Sequence, residues 1–406
     1  MNYKMKVLQI NTVYRENSTG RTCYEVEKAL EERGYQSLTI HQLGPIAGEH
    51  NYIINSKYGY YVHKFMARLT GLDGYYSKLA TRRAIKKIEE YNPDIIHLRN
   101  LHGGYIHLPT LFSFLSKINI PIIYNLHDTW AYTGKCPEYA NAGCEKWKDE
   151  CSKCPQYKVY PVSWFFDRSR KIFNDKIKWY KNIKNLVIVG VSDYMKAEAL
   201  KAPLFLGRRV ERIYNWIDLN IFQPNDGVDR KKYGIQDGFL VIGCSSWWKK
   251  NTEYDEMCEL ARMLGDEAQV VMVGGKSLDT PYPNMHHIPY TNSAAELASL
   301  YGEADAFVCL STAESFGKVT AEALACGTPV VVYDTTGIRE IPGENCGYVV
   351  DKHDLNGIKK KLIQIKKDGK EKYTEKCRQR AEKLFNYETN VSNLIELYEE
   401  LVKSYG

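Results

Sequence analysis

Short apolar runs that do not alternate with polar residues recur along this chain, and each ends in a polar or glycine-bearing loop followed by a helical pattern. KVLQINTV runs into the polar segment 14–20, after which RTCYEVEKALEERG shows helical spacing that stops at Gly34. SLTIHQL, DIIHL, IPIIYNLHD and NLVIVGVS repeat the theme. Strands of this kind are buried on both faces, which predicts parallel sheets covered by helices on either side. After the turn-rich stretch RIYNWIDLNIFQPNDG the pattern begins again with FLVIGCSS, AQVVMVGG, HHIPY, AFVCLS and PVVVYD. The expected fold is α/β, with two Rossmann-like, doubly wound parallel-sheet domains facing across a cleft, at residues 1–212 and 213–385. Residues 386–406 carry Val391, Leu394, Ile395, Tyr398 and Leu401 at helical spacing. That helix is read either as packing on its own domain or as crossing back to the N-terminal one.

The 406 residues suit two domains of about 100–200 residues each. With 44% hydrophobic and 26% charged residues, a packed core is expected rather than disorder. A net charge of +6, from 55 basic and 49 acidic residues, is too small an excess to mark a nucleic-acid binder. No stretch approaches the roughly 18 apolar residues of a membrane-spanning helix. The start MNYKMKVLQINTV lacks a signal-peptide core, so a cytoplasmic location is expected.

Ligands of doubly wound sheets sit at the carboxyl ends of the strands. The segment STAESFGKVTAEALACGTP is the most informative such end, with Glu314 and Glu322 separated by seven residues around a Ser-Phe-Gly turn that opens a helix. The first-turn amides, from about Gly317 through Lys318 and Val319 to Thr320, together with the helix dipole, favour a phosphate. Ionised carboxylates there suit sugar or ribose hydroxyls. Taken alone, the same pair also reads as an acidic residue stabilising its own helix plus a solvated one.

ESFGKVTAEALACGTPVV, followed by TTGIREI, closely resembles the signature of family 4 retaining glycosyltransferases of the GT-B fold, a group that includes many bacterial capsule and lipopolysaccharide sugar transferases. NSTGR, PDIIHLRNLHG, LHDTW, VSDYM, YNWID and VVMVGG match further family segments in order along the chain. The resemblance implies transfer of a sugar from a nucleotide diphosphate donor, such as a UDP- or GDP-sugar, to a hydroxyl of a glycan or lipid-linked acceptor in surface polysaccharide synthesis, with retained anomeric configuration. It implies Gly20 (backbone amide), Lys250 or its neighbour Lys249, and the amides from Gly317 onward around the diphosphate. Lys318 would lie near the phosphate or sugar, Glu314 on a donor-sugar hydroxyl, and Glu322 on the ribose. His127 matches the family's active-site histidine, and His102 is an acceptor-side candidate. The chain departs from the family where a Gly-Arg turn is usual: Gly243 is followed by Cys244, Ser245 and Ser246. No carboxylate is placed as a dedicated nucleophile and no Asp-x-Asp loop is present, so catalysis is expected to need no metal. An inverting transferase, a nucleotide-sugar epimerase and a zinc-containing nucleic-acid-binding protein are the competing readings.

Two features stand outside that signature. Of 11 cysteines, Cys136, Cys144, Cys151 and Cys154 crowd into one insertion at about residues 134–156 and end in a Cys-x-x-Cys pair. Four thiolates in a short loop of a reduced protein fit a tetrahedral structural zinc site with bonds of about 2.3 Å; two disulfides or free thiols are the rivals. The tract RSRKIFNDKIKWYKNIK interleaves apolar and basic residues, and reads either as a helix on an anionic membrane surface or as one packed on its own domain.

Overall fold

The apolar runs become parallel strands in a computed structural model that describes residues 4–45, 50–245, 248, 252–276, 278–291 and 293–405. The chain forms two units, Met1–Ile213 with Val391–Gly406, and Tyr214–Asn390. In the first unit β1 (Lys6–Ile10), β2 (Gln36–His41), β3 (Asn51–Ile53), β4 (Ile95–Leu98), β5 (Ile122–Leu126), β6 (Leu186–Gly190) and β7 (Arg209–Arg212) pair in the order β3-β2-β1-β4-β5-β6-β7. Every pair is parallel, with Val7 opposite Ile95 and Ile122 opposite Leu186. The chain leaves β1 toward β2 and β3, then returns to add β4 on the other side. The carboxyl ends of β1 and β4 therefore flank a topological switch point, where a ligand crevice opens in such sheets.

The second unit repeats the plan with β8 (Leu240–Cys244), β9 (Gln269–Val273), β10 (Met285–Ile288), β11 (Ala306–Cys309), β12 (Val330–Tyr333) and β13 (Gly347–Val350), in the order β10-β9-β8-β11-β12-β13. Its switch point lies between β8 and β11. Val7, Leu8, Ile10, Val241, Val270, Phe307 and Val330 are fully enclosed. Burying each such side chain contributes about 1.5–3 kcal/mol, and this is why the uninterrupted apolar runs mark the sheet centres.

One sequence expectation changes, one strand is added and one open alternative is resolved. NSTGR is not a loop: the helix Asn17–Glu32 begins there, after Arg15 and Asn17 take left-handed backbone angles. Directly before the turn-rich stretch, Arg209–Arg212 forms an edge strand beside β6 that the sequence reading did not include. The basic tract forms the helix Ser169–Lys181, but its apolar side is already used: Ile172, Phe173 and Tyr180 are buried, and Trp179 stacks on Phe112 at 5.2 Å. Packing on its own unit is the reading that holds for this helix. No helix among the described residues is long and apolar enough to cross a membrane.

The final helix, Tyr387–Tyr405, contributes Val391, Leu394, Ile395, Tyr398 and Leu401 to buried positions, and from Val391 onward it clusters with the first unit. The Tyr398 hydroxyl meets Nδ1 of His97 on β4, Tyr35 donates to Glu399 at 2.8 Å, and Arg33 donates to Ser392 at 2.7 Å.

Candidate functional site

In the second unit the segment 311–317 leaves β11 and enters the helix Lys318–Ala325. The Ser-Phe-Gly turn has a packing logic. Phe316 is buried against Phe385 at 5.2 Å, which pins the loop. Gly317 then reverses the chain at φ 95°, a conformation that a side chain resists. The Thr320 amide closes onto the Gly317 carbonyl at 3.1 Å. Of the expected phosphate donors, Thr320 is thus committed to the helix, whereas Lys318 and Val319 hold first-turn positions whose amides have no intrahelical acceptor. The Thr320 hydroxyl is buried without a partner.

TTGIREI holds this loop in place. The Glu314 amide donates to the Thr336 hydroxyl at 2.8 Å, the Gly337 amide donates to the Glu314 carbonyl at 2.8 Å, and the Thr335 hydroxyl donates to the Thr312 carbonyl at 2.8 Å. A Cβ on Gly337 would fall 2.4 Å from the Ser315 carbonyl oxygen, so only glycine permits that approach. The Glu314 residue keeps some exposed surface while its carboxyl is enclosed. Burial, then the Glu253 carboxylate, push its pKa up to about 7, and the Ser311 hydroxyl acts in the opposite direction. Ser311 also hydrogen-bonds the Glu253 carboxyl, which burial raises. One serine thus serves two carboxyls.

Glu322, the fifth residue of that helix, is buried, and after burial its charge is the next cause that drives the Cys326 thiol up to about 12. Lys249 and Lys250 lie outside the described residues. Next to them, Trp248 donates from Nε1 to the Val273 carbonyl at 2.9 Å. This ties the loop after β8 to the end of β9, where Gly275 leaves room: a Cβ there would stand 2.8 Å from the Trp248 Cβ.

In the first unit β4 and β5 bring the histidines together. His102 and Asp128 pair at 2.7 Å, Tyr160 meets Nδ1 of His102 at 2.9 Å, and the Trp130 amide donates to Asp128 at 2.8 Å. Burial alone would lower the His102 pKa, but the Asp128 carboxylate outweighs it and holds the imidazole above its usual range. Asp128 is likewise held below the usual carboxylate range, with His102 outweighing its burial. His127, one residue away, is opposite in character: burial and then Arg99 lower it to about 3. Arg99 is fully buried and donates to Gln9 on β1 at 3.1 Å, to Thr22 at 3.2 Å and to His127 at 3.2 Å. Gly20 sits in the first turn of the helix Asn17–Glu32, its carbonyl accepting from the Arg15 amide at 3.0 Å. A Cβ there would stand 3.2 Å from both Arg15 and Val13.

Arg99 and Glu253 were missed by sequence reasoning. Arg99 has no motif spacing to its partners, which only the sheet order assembles. Glu253 lies in an acidic helix start that reads as ordinary dipole compensation.

The four clustered cysteines are all free and line one pocket. Among the described residues no three His, Cys, Asp or Glu side chains already stand as a group that would hold a metal ion.

A family model described as "Glycosyltransferase Family 4" matches residues 19–221, and one described as "Glycosyl transferases group 1" matches residues 226–384. The putative colanic acid biosynthesis glycosyl transferase WcaC of Escherichia coli is 24% identical over 68% of this chain and 67% of its own length. The N-acetyl-alpha-D-glucosaminyl L-malate synthase of Bacillus anthracis is 28% identical over 48% of this chain and 54% of its own. Several of the curated relatives are thus matched over only about half their length. Among solved structures, sucrose-phosphate synthase from Thermosynechococcus elongatus superposes with TM-score 0.69 at 16% identity, covering 99% of this chain and 100% of that one. Anabaena HepE in complex with UDP and glucose gives 0.67 at 14% identity, over 98% and 100%. At such identities these structures share the GT-B fold.

Proposed function

Because the chain belongs to glycosyltransferase family 4, we propose that it is a retaining transferase acting in bacterial surface polysaccharide synthesis. It moves a hexosyl group from a UDP- or GDP-sugar to a hydroxyl of a glycan or lipid-linked acceptor. The observation that carries this reading is Glu314, whose carboxyl is enclosed and whose backbone is held by the Thr336 and Gly337 contacts, in the loop that leads into a helix N-terminus. Such an N-terminus favours the diphosphate. A carboxylate one turn away favours a hydroxyl of the sugar it carries.

The chemistry balances without a protein nucleophile. The acceptor oxygen bonds to the anomeric carbon as the bond from that carbon to the diphosphate breaks, and the acceptor proton passes to the departing phosphate oxygen. Charge grows on that phosphate, so fixed amides and cations around it supply most of the rate enhancement. Lys318, Val319, Gly317, and Lys249 or Lys250 are assigned to it, with Glu322 on the ribose. His127 stays neutral, its Nε2 accepting from Arg99, and it is assigned to a hydroxyl of the substrate through Nδ1–H. His102, held by Asp128, is assigned to the acceptor side. HepE, whose structure holds UDP and glucose, supports a nucleotide-sugar donor, and the name of WcaC supports a polysaccharide product.

Contact with a lipid-linked acceptor at an anionic membrane face is supported by a patch distinct from the helix Ser169–Lys181. Tyr58, Tyr61, Phe65, Trp164, Phe165 and Phe166 are exposed. Phe65 meets Trp164 at 5.7 Å, and the Arg168 guanidinium lies over Phe166 at 5.1 Å. Aromatic and basic groups side by side suit an interfacial layer.

Calorimetric titration with UDP-, GDP- and ADP-sugars tests the donor, and proton NMR of the first-formed product tests the stereochemistry. Binding of one nucleotide class and an axial-to-axial outcome support the reading; absence of binding to all three sinks it.

A further inference from the structure

The loop after β5 carries chemistry that sugar transfer does not use. We propose that Cys136, Cys144, Cys151 and Cys154 bind one zinc ion as a tetrathiolate that rivets this loop to the acceptor-side wall of the first unit. The proposal does not depend on the transfer reaction.

Residues 18 positions apart in the sequence are brought to the rim of one small pocket, with Cys136 and Cys151 buried and Cys144 and Cys154 half-buried. The backbone is bent for it. Lys153, inside the Cys-x-x-Cys turn, takes φ 45°, and Gly143, directly before Cys144, takes φ 56°. Amides already point at sulfur: Gly134 donates to Cys151 Sγ at 3.2 Å, and the Gln156 backbone hydrogen-bonds Cys154. Such N–H···S contacts stabilise thiolate ligands.

Charge supports the same conclusion. Lys135 and Lys176 are buried beside the cysteines, and Lys146 spans the Cys-x-x-Cys turn through the Ser152 and Lys153 carbonyls at 3.1 and 2.9 Å. The Lys176 ammonium donates to the Trp130 and Thr133 carbonyls. A zinc tetrathiolate carries two net negative charges, which neighbouring lysines complement. As each Zn–S bond forms, the thiol proton leaves to solvent. The Cys136 carbonyl accepts from Thr129 at 3.2 Å and from Thr133 at 2.6 Å. Thr129 lies between Asp128 and Trp130, so the metal loop is bonded directly to the His102–Asp128 wall.

The test is metal content of the full chain, purified without chelator, by mass spectrometry. About one zinc per chain is expected, lost in Cys136→Ser and in Cys154→Ser and kept in Cys258→Ser, a cysteine remote in sequence from the loop. Cobalt-exchanged protein should show the intense visible bands of a tetrahedral thiolate site. Metal-free wild-type protein with all four loop thiols open to Ellman's reagent, two disulfides that persist in reductant, or stoichiometric iron in place of zinc would each overturn the assignment.

Discussion

Arg99 donates from Nη1 to Nε2 of His127 across 3.2 Å. A guanidinium accepts nothing, so Nε2 must be the bare nitrogen and the imidazole proton sits on Nδ1. The buried cation also opposes a second proton, in line with a His127 pKa of about 3. His127 is therefore a neutral hydrogen-bonding group through the whole physiological range rather than an acid.

It follows that His127→Ala removes a binding contact and not a titrating one. We expect kcat/KM to fall roughly 10- to 100-fold, the size of one good hydrogen bond to a polar substrate, with no change in the shape of the pH profile between 6 and 8. Arg99→Met should lower stability by about 1–3 kcal/mol in urea unfolding, because Gln9, Thr22 and His127 lose one buried donor together. In that variant the His127 ring should titrate nearer its ordinary value by NMR. An unchanged titration would show that burial alone sets it.

The Glu253–Glu314 relationship predicts a pH effect with a definite sign. Glu314 titrates near 7 because burial and the Glu253 charge oppose its ionisation. If the ionised form holds a donor hydroxyl, the donor KM should fall as pH rises from 6 to 8. Removing the neighbouring charge in Glu253→Gln lowers the Glu314 pKa, so the limb should move to more acid pH. In Glu314→Gln it should vanish, with turnover reduced about 10²-fold. Identical KM–pH curves for wild type and both variants would remove Glu314 from the donor site.

How much of this was legible in the sequence depends on burial. Strands such as Leu186–Gly190 and Val330–Tyr333 are enclosed on both faces, so their apolar runs announced them. Arg209–Arg212 and Asn51–Ile53 lie at sheet edges with exposed or half-buried residues, and short mixed segments carry no such signal. The helix Lys57–Thr70 was also unread, since its exposed tyrosines and phenylalanine blur the apolar stripe. Glu314 could be found because its motif is contiguous. Arg99 could not, since its partners come from β1, the first helix and β5, which only the β1–β4–β5 order makes neighbours.

Gly337 makes the contact between TTGIREI and the glutamate loop testable. In Gly337→Ala the added Cβ would lie 2.4 Å from the Ser315 carbonyl oxygen and 3.1 Å from that of Glu314. Both are backbone atoms that cannot swing aside, so the loop must shift. A cost of about 1–3 kcal/mol is expected, concentrated in donor affinity rather than in the unfolding of the first unit. Differential scanning calorimetry with and without nucleotide sugar separates the two. A variant that binds donor as well as wild type does would show that the loop's position is unimportant to the site.

Acid should destabilise the first unit through a histidine remote from the proposed chemistry. His63 is buried, its Nε2 accepts from the Gly74 amide at 3.2 Å, and its Nδ1 faces the Ser77 hydroxyl at 2.8 Å. An amide only donates, so the fold holds the neutral ring, and burial lowers its pKa from 6.5 to about 4. Between these values the unfolded chain binds the proton and the folded chain does not, so stability must fall as pH drops from about 6.5 toward 4. His102 has the opposite sign, because Asp128 raises its pKa. Its contribution is complete below the unfolded value and is lost as pH rises through the folded one. Melting curves from pH 7.5 to 4.5 should therefore show a falling midpoint whose slope shrinks in His63→Gln, an amide able to accept from Gly74 without titrating. An equal slope in both proteins would mean that the proton is taken up elsewhere.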